Sequence, residues 1–312
     1  MLQVSADGQT PVGAPARGLG FVRAVVRAMR PAQWVKNAFV MAPLIFAAQA
    51  LEVAHFMRAI GAFGVFALLS GCVYLVNDLV DVEADRRHPT KCRRPIASGA
   101  LPVSAARRVL VVGAGLAFGA AAWLGPGSFV AVGATYATLN LAYSFRLKHI
   151  PFVDVALIAA GFVLRLLAGA LAVGVPLTGW IVVTTFALAV FLALGKRRHE
   201  LAQAGDAASG QRKVLARYRL DHLDRVMLAA AVVTVGAYAG WTLFGGPSGR
   251  LFDPRDLAVT IPSVVFGLHR FRVLTARGAA AASPTDRMLS DLPFILNVVI
   301  WCLAVAVIIY WR

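Results

Sequence analysis

The sequence is poor in acidic residues and in cysteine. Only 15 of its 312 residues are Asp or Glu, against 31 Lys and Arg. The three cysteines, Cys72, Cys92 and Cys302, are widely separated, so they match neither a disulfide framework nor a metal knuckle. The first twenty residues lack the charged start and the apolar core of a signal peptide. These absences argue against a disulfide-stabilised secreted domain and against a cysteine-ligated metal site.

Apolar segments, by contrast, are abundant. Hydrophobic residues make up 59% of the chain, and the mean hydropathy is +0.72, which is typical of an all-α polytopic membrane protein. Segments of spanning length are predicted near residues 34–52, 56–80, 102–124, 127–146, 151–174, 178–196, 223–245, 256–274 and 292–311. We therefore expect one nine-helix transmembrane domain over residues 30–312, after a disordered cytoplasmic tail over residues 1–29.

The basic residues are distributed unevenly between the predicted loops. With a cytoplasmic N-terminus, 26 of the 31 Lys and Arg residues lie on the cytoplasmic side, 4 lie outside, and Arg165 lies within a helix. The positive-inside rule then predicts a cell-membrane protein with its N-terminus inside and its C-terminus outside. The formal charge of +16 also attracts anionic substrates and membrane lipids to the cytoplasmic face. Nucleic acid is not an expected partner, because these residues lie in loops between spans.

An acidic motif follows the second apolar segment. Four of the fifteen carboxylates fall within residues 78–85, and on a helix Asp78, Asp81 and Asp85 share one face, with Asn77 one turn from Asp81. Two carboxylates roughly 6 Å apart repel by about 3 kcal/mol at an effective dielectric constant near 20, so three need a cation. Oxygen ligands at these spacings suit Mg²⁺ shared with substrate phosphates. We predict a Mg²⁺ and diphosphate site at these four residues; the alternative is a solvated helix end that neutralises the following arginines.

Polar residues on either side of this motif are candidate phosphate ligands. Gln33, Lys36 and Asn37 lie at i, i+3 and i+4 inside an apolar helix, which indicates a polar face toward a cavity. The alternative for Lys36 is snorkelling to the membrane interface. Lys91 and Arg94 belong to a proline-stiffened basic loop after the motif, and we expect them to close over an anionic substrate.

Arg165 lies close to the middle of the fifth apolar segment. An arginine there costs roughly 2.5–3.5 kcal/mol on insertion scales, so it should face a cavity or a partner. Asp154 is eleven residues earlier, three helical turns, and so lies on nearly the same face. We predict a phosphate contact for Arg165, the alternative being a structural ion pair with another helix. The six histidines show no metal-ligand pairing and are assigned no catalytic role.

Two motifs carry a resemblance to a known family. The motif N-D-x-x-D-x-x-x-D over residues 77–85 and the stretch Y-S-x-x-L-K over residues 143–148 resemble signatures of the UbiA superfamily of intramembrane prenyltransferases. The resemblance runs from Arg30 to the C-terminus. It implies a nine-helix bundle with a cytoplasmic-side active-site cavity, catalytic aspartates in the first motif, and substrate contacts at Tyr143, Ser144 and Lys148. For Tyr143, a place in the interfacial aromatic belt is the alternative.

One departure from the family pattern is informative. Ordinary members carry a second D-x-x-x-D motif at the end of helix 6, which binds diphosphate through a second Mg²⁺. Here the corresponding stretch, residues 195–200, reads G-K-R-R-H-E. Direct cation contacts to phosphate would replace metal-mediated ones. The predicted substrate-binding residues of this stretch are Lys196, Arg197, Arg198 and Glu200.

This stretch, together with Tyr218, Asp224 and residues 267–270, resembles one branch of the superfamily, the decaprenyl-phosphate phosphoribosyltransferases. The resemblance implies transfer of 5-phosphoribose from phosphoribosyl diphosphate (PRPP) to a polyprenyl (decaprenyl) phosphate, a step toward cell-wall arabinan precursors. The alternatives are a conventional prenyltransferase, which joins a polyprenyl diphosphate to an aromatic or haem acceptor, and a non-catalytic lipid-binding or transport protein. Small residues at 113–115 and 119 are of a kind that packs helices within a protomer or in a homo-oligomer.

Overall fold

A computed structural model of the protein describes residues 16–204, 217–245, 253–276, 287–288 and 290–311. Within these ranges the chain is helical, without strands. The α-helices are α1 Leu19–Ala28, α2 Ala42–Phe46, α3 Val53–Val80, α4 Val82–Arg86, α5 Val103–Leu124, α6 Gly127–Phe145, α7 Val153–Val173, α8 Gly179–Ala204, α9 Leu220–Phe244, α10 Ile261–Ala276 and α11 Leu292–Tyr310. Four 3₁₀ helices cover Pro31–Val40, Lys91–Arg93, Leu147–His149 and Pro254–Thr260.

Seven helical segments among the described residues are long and apolar enough to cross a membrane. They are Val53–Val80, Val103–Leu124, Val153–Val173, Gly179–Gln203, Leu220–Phe244, Pro254–Ala276 and Leu292–Tyr310. The prediction of an all-α polytopic membrane protein is confirmed, whereas the count of nine spanning helices is not. Helix α6 has 19 residues, but polar side chains such as Asn140 and Ser144 make it less apolar than the seven.

The first predicted span, residues 34–52, is not one continuous α-helix. It consists of the 3₁₀ helix Pro31–Val40 and the five-residue helix α2. The 3₁₀ helix packs closely on α7, where a Cβ added to Gly169 would overlap the carbonyl oxygen of Val40. A glycine on α7 therefore lets the backbone that carries Lys36 approach the bundle.

The predicted disordered tail is wrong for residues 19–28, which form α1. Ala24 and Ala28 of α1 are buried in a cluster that also contains Leu75 of α3 and Ile96 and Leu101 of the following loop. Apolar side chains spaced at helical intervals therefore dock this segment on the bundle despite its four arginines between 17 and 30. Residues 1–15 of the predicted tail lie outside the described residues.

The transmembrane core has two main clusters. In one, Phe66 of α3 and Phe129 and Tyr136 of α6 pack with buried residues of α5 and α7. In the other, Phe191 of α8 and Met227 of α9 pack with residues of α7 and α10. In the small-residue patch of α5, residue 113 packs on Leu68 and Cys72 of the same protomer, while residues 115 and 119 face open space. The homo-oligomer thus stays a prediction.

Polar contacts gather at one end of the bundle. Contacts between side chains bring the C-terminal ends of α3, α6, α8 and α10 together with the N-terminal ends of α7, α9 and α11. Lys148 after α6 approaches Asp81 after α3, with Nζ 3.9 Å from Oδ2. Arg198 of α8 contacts Asp224 of α9 and the carbonyl oxygen of Thr275 in α10. Most of the predicted site residues thus lie around this polar end, while Arg165 lies deeper, near the middle of α7.

Candidate active site

The acidic motif lies at a break between two helices. Helix α3 ends at Val80, Asp81 has φ −90° and ψ 5°, and α4 begins at the next residue. The predicted single face of three aspartates on one helix is therefore wrong. Asp78 and Asp85 are each 2% exposed and converge on Arg94, whereas the Asp81 side chain is 41% exposed and has Lys148 nearby.

Arginines occupy the space around the two buried carboxylates. Arg94 Nη1 lies 3.1 Å from Asp78 Oδ1 and 2.6 Å from Asp85 Oδ2. Arg30 Nη2 lies 2.6 Å from Asp78 Oδ1, and its guanidinium stacks on the Tyr74 ring at 4.7 Å. Buried carboxylates are stable only when paired or ligating a metal. Arg94 is thus joined to the acidic motif itself, with its Nη1 donating to both carboxylates.

The donor set of this region fits one Mg²⁺ that is shared with phosphate. Among the described residues no three acidic, His or Cys side chains are clustered closely enough to enclose a metal. Mg²⁺ needs only one or two carboxylates, because substrate phosphates and waters complete its coordination. Asn77 Oδ1 is buried without a hydrogen-bond partner, and Asp81 keeps oxygen atoms accessible. Asn77, Asp78 and Asp81 thus fit such an ion, and Asp85 serves mainly Arg94.

A basic cavity of about 250 Å³ adjoins the acidic motif. Its lining residues are Arg27, Arg30, Asp78, Thr90, Arg93, Arg94 and Pro95. Of its four arginines, the sequence predicts only Arg94 as a ligand. Arg27 lies in the segment that the sequence predicts to be a disordered tail. The signal available in the sequence was the spacing of Arg27 and Arg30, one helical turn apart just before Pro31. The predicted ligand Lys91 is exposed and does not line the cavity.

At the end of α8, Arg197 is part of a buried ionic network. Its Nε donates to Asp154 at 2.8 Å and its Nη1 to Glu200 at 2.6 Å. Asp154, which is fully buried, also accepts from the Tyr218 hydroxyl at 2.6 Å. That hydroxyl accepts the backbone N–H of Phe152 at 2.7 Å. Burial, and then the hydrogen bond to Asp154, raise the pKa of Tyr218 well above its usual value, so the phenol stays a proton donor.

Arg198 and Lys196, the other two Arg or Lys residues at the end of α8, differ in their partners. Arg198 forms a two-pronged contact with Asp224, at 2.6 and 3.2 Å. Lys196 is exposed, and the described residues offer its side chain no hydrogen bond or ion pair. Arg197, Arg198 and Glu200 are thus engaged within the protein, and Lys196 is the cation of this stretch that is available to a ligand.

Arg165 is buried among neutral groups. It donates to Asn37 Oδ1 at 2.7 Å, to the Gly161 carbonyl oxygen at 2.9 Å and to the Tyr136 hydroxyl at 2.8 Å. Among the described residues no carboxylate pairs with Arg165, which speaks against the alternative of a structural ion pair, and Asp154 pairs with Arg197 instead. Such neutral partners leave the positive charge of Arg165 uncompensated.

Lys36 completes a group of three cations, which we call the cation cluster: Lys36, Arg165 and Lys196. Lys36 interacts electrostatically with both of the others. In the part of the chain that the structure describes, no carboxylate pairs with any of the three. Like charges that act on one another repel, so the cluster is suited to bind an anion.

The remaining predicted ligands have mixed environments. Asn37 is fully buried and supports Arg165 rather than facing open space. Ser144 donates to the Asn140 carbonyl oxygen at 2.7 Å, inside its own helix. Tyr143 is half-buried and interacts with Arg197, and Gln33 is half-buried on the 3₁₀ helix. Their predicted contacts with substrate stay predictions.

An apolar cavity of about 660 Å³ is lined in part by residues that neighbour Lys36 and Arg165 in the chain. Its walls come from the 3₁₀ helix, α2 and helices α7 to α11. Ala38 and Phe39 of the lining lie two and three residues after Lys36, and Leu166 directly follows Arg165. The cavity can therefore hold an apolar chain whose anionic end reaches the cluster.

Two known enzymes of one name are similar to this chain over most of its length. The decaprenyl-phosphate phosphoribosyltransferase of Mycobacterium tuberculosis strain H37Rv is 35% identical over 285 residues, 90% of this chain and 92% of that protein. The enzyme of the same name from Corynebacterium glutamicum is 40% identical over 220 residues, 70% of this chain and 66% of that protein.

The fold is also found among solved structures. A UbiA homologue from Archaeoglobus fulgidus bound to DMAPP and Mg²⁺ has a TM-score of 0.69 and 18% identity, covering 92% of this chain and 99% of that one. The likeness confirms the predicted UbiA-type fold. Residues 38–284 match the description "UbiA prenyltransferase family". The chain therefore belongs to the UbiA prenyltransferase family.

Proposed function

We propose that this protein transfers 5-phosphoribose from PRPP to a polyprenyl phosphate, such as decaprenyl phosphate, and releases diphosphate. The observation that carries the proposal is the cation cluster beside the apolar cavity. Such a pair of features matches an acceptor with an anionic head and a long apolar chain. The names of the relatives from Mycobacterium tuberculosis and Corynebacterium glutamicum support the same reaction.

The acceptor phosphate would lie at the cation cluster. A buried arginine without a counter-ion is costly, and a bound phosphate offsets that cost by supplying the missing negative charge. Arg165 is held in place by its three neutral partners, so its guanidinium is already oriented. Lys36 and Lys196, which are exposed, would complete the contacts to the phosphate.

The donor diphosphate would lie at the acidic motif. Asn77, Asp78 and Asp81 are the residues that would hold Mg²⁺ there. When bound, the ion neutralises negative charge on the departing diphosphate. The solved Archaeoglobus fulgidus homologue with bound Mg²⁺ supports a metal dependence of this kind. The positive-inside prediction supports a cytoplasmic position for this end of the bundle, with the C-terminus outside.

The chemistry needs little from the side chains beyond binding and orientation. An oxygen of the lipid phosphate forms a bond to C1 of the ribose, while the bond between C1 and the diphosphate oxygen breaks. The electron pair of that bond leaves with diphosphate. A phosphate monoester is already anionic at neutral pH, so no general base is required. The product would be a polyprenylphosphoryl 5-phosphoribose, consistent with use in cell-wall arabinan synthesis.

A conventional prenyltransferase reaction is less well supported. The solved homologues at 18% identity share the fold alone. At the end of α8, where a second acidic motif would bind metal, this chain has one available lysine and two paired arginines. A non-catalytic transport role gives no account of Asn77 and the aspartates at the same end as the cation cluster.

The test is a transfer assay with the full chain in nanodiscs. Labelled PRPP, a polyprenyl phosphate and Mg²⁺ are supplied, and label entering the organic phase is counted. We expect transfer that stops with EDTA and resumes when Mg²⁺ is restored. A parallel reaction uses a labelled prenyl diphosphate and an aromatic acceptor. Transfer in that reaction, with none from PRPP, would replace the proposal by the conventional one.

A further inference from the structure

We infer that the basic cavity beside Asp78 binds the 5-phosphate of the donor and thereby selects a phosphosugar diphosphate over a prenyl diphosphate. This inference rests on the proposed function and extends it to donor specificity. The cavity is built from three segments: the end of α1 with the residue before Pro31, the end of α3, and the loop over residues 90–95.

The first argument is the charge of the cavity wall. Arg30 and Arg94 are paired with the carboxylates of the acidic motif. Arg27 and Arg93 also line the cavity, but their guanidinium groups have no hydrogen bond or ion pair among the described residues. Two of the four arginines on this wall are therefore not neutralised by a carboxylate of the described residues. Guanidinium groups bind phosphate with two parallel hydrogen bonds, so the wall suits a phosphate rather than a metal.

The second argument is position and size. A phosphate held by Arg27 and Arg93 would share the cavity with Asp78, one of the proposed Mg²⁺ ligands. It would therefore lie next to the donor diphosphate rather than at the cation cluster. A volume of about 250 Å³ exceeds the roughly 30 Å³ share of one liquid water several-fold, so a phosphate group fits. Thr90 adds a hydroxyl to the same wall.

The third argument compares the chemical groups of the two classes of donor. A prenyl diphosphate consists of one diphosphate and an apolar chain, and an apolar chain has no favourable contact with an arginine-lined wall. PRPP carries phosphate at both ends of its ribose. The cavity therefore divides the cations of the site between the substrates: the arginines near Asp78 serve the donor, and the cation cluster serves the acceptor.

The test compares PRPP with a ribose 1-diphosphate that lacks the 5-phosphate. Equilibrium binding of each compound, with Mg²⁺ present, is measured for the wild type and for the Arg27→Gln/Arg93→Gln double variant. Both arginines are exposed and have no ion-pair partner among the described residues, so the double variant should fold normally. We expect the wild type to prefer PRPP by roughly 10-fold or more, and the double variant to lose most of that preference. Arg107→Gln, an exposed arginine on α5, is the charge-matched control and should keep it.

The outcomes separate this inference from the proposed function. An unchanged preference in the double variant, with phosphoribosyl transfer intact in the wild type, would overturn the cavity assignment alone. A wild type that transfers nothing from PRPP would remove the proposed function. The ratio of the affinities for PRPP and for the ribose 1-diphosphate would still test whether the cavity binds the 5-phosphate. An effect of the variant only in nanodiscs with anionic lipid, with PRPP binding unchanged, would assign the cavity to a lipid headgroup and contradict the inference.

Discussion

Two groups of arginine residues lie at the polar end of the bundle, and their partners differ. Arg197 and Arg198 at the end of α8 each have a carboxylate partner, Asp154 and Asp224 respectively. Arg27 and Arg93 beside the acidic motif have none among the described residues. Of these four, the sequence predicts only Arg197 and Arg198 as phosphate ligands. The comparison shows that the position of the few carboxylates separates structural arginines from those available to an anion.

The largest effect is expected on stability, within the group at the end of α8. Arg197→Met removes one partner of a buried pair and leaves Asp154 charged and fully buried, a loss of about 3–5 kcal/mol. Arg198→Met removes a partly exposed pair, whose contribution is about 1 kcal/mol or less. Thermal unfolding in detergent should show a clearly larger drop for Arg197→Met. Equal drops would mean that Asp154 does not depend on Arg197 for compensation.

The next effect concerns the acidic motif. Asp81→Asn should lower transfer by about 100-fold or more, since metal stabilisation of a departing diphosphate contributes several kcal/mol. Folding should be unaffected, because Asp81 is 41% exposed and has only Lys148 nearby. Glu83→Gln is the matched control, because Glu83 is exposed and pairs with Arg86 of its own helix. Near-normal transfer by Asp81→Asn would remove Asp81 from the metal site.

A smaller effect tests how the cation cluster is positioned. Gly169→Ala adds a Cβ that overlaps the Val40 carbonyl oxygen, so the 3₁₀ helix carrying Lys36 must move. Overpacking of this kind costs about 1–3 kcal/mol. We expect lower thermal stability and a higher KM for the lipid phosphate. Gly115→Ala on α5, where a Cβ meets nothing within 4 Å, should change neither. If Gly169→Ala behaves like this control, the close approach does not position Lys36.

The smallest effect is expected at Lys196. Replacing it with Gln removes one cation contact to the acceptor phosphate, which should raise the KM for the lipid phosphate roughly 10-fold. The KM for PRPP and the unfolding temperature should stay unchanged, because Lys196 has no partner in the described chain. A change in the KM for PRPP instead would place Lys196 with the donor and reverse the division between the two groups of cations.

Much of the site followed from local patterns in the sequence. The order N-D-x-x-D of residues 77–81 indicates a candidate metal site, because side-chain oxygens at helical spacing suit Mg²⁺. The exclusion of Arg165 from lipid followed from the cost of a charge in the membrane. Patterns of this type depend on neighbouring residues along one helix, so they can be read without the fold.

Other features depended on contacts between distant segments. The partners that orient Arg165 are of this kind: its donors reach Asn37, Gly161 and Tyr136, and Asn37 is 128 positions away in the chain. Nothing in the local sequence marks Arg197 as buried and Lys196 as available, because both lie in the same stretch of cations. The docking of α1 is another such feature, because its buried residues Ala24 and Ala28 meet Leu75, Ile96 and Leu101 only in the folded chain.

The amino-acid sequence by itself determined the class of this protein, an all-α membrane protein with one acidic motif at a helix end. Hydropathy and residue spacing are enough for that, because burial in a bilayer and the helical repeat act on each segment separately. Only the tertiary structure decided which of the 31 basic residues are neutralised by the 15 acidic ones. Ion pairing depends on distances between side chains far apart in the chain, and these exist only once the helices have packed.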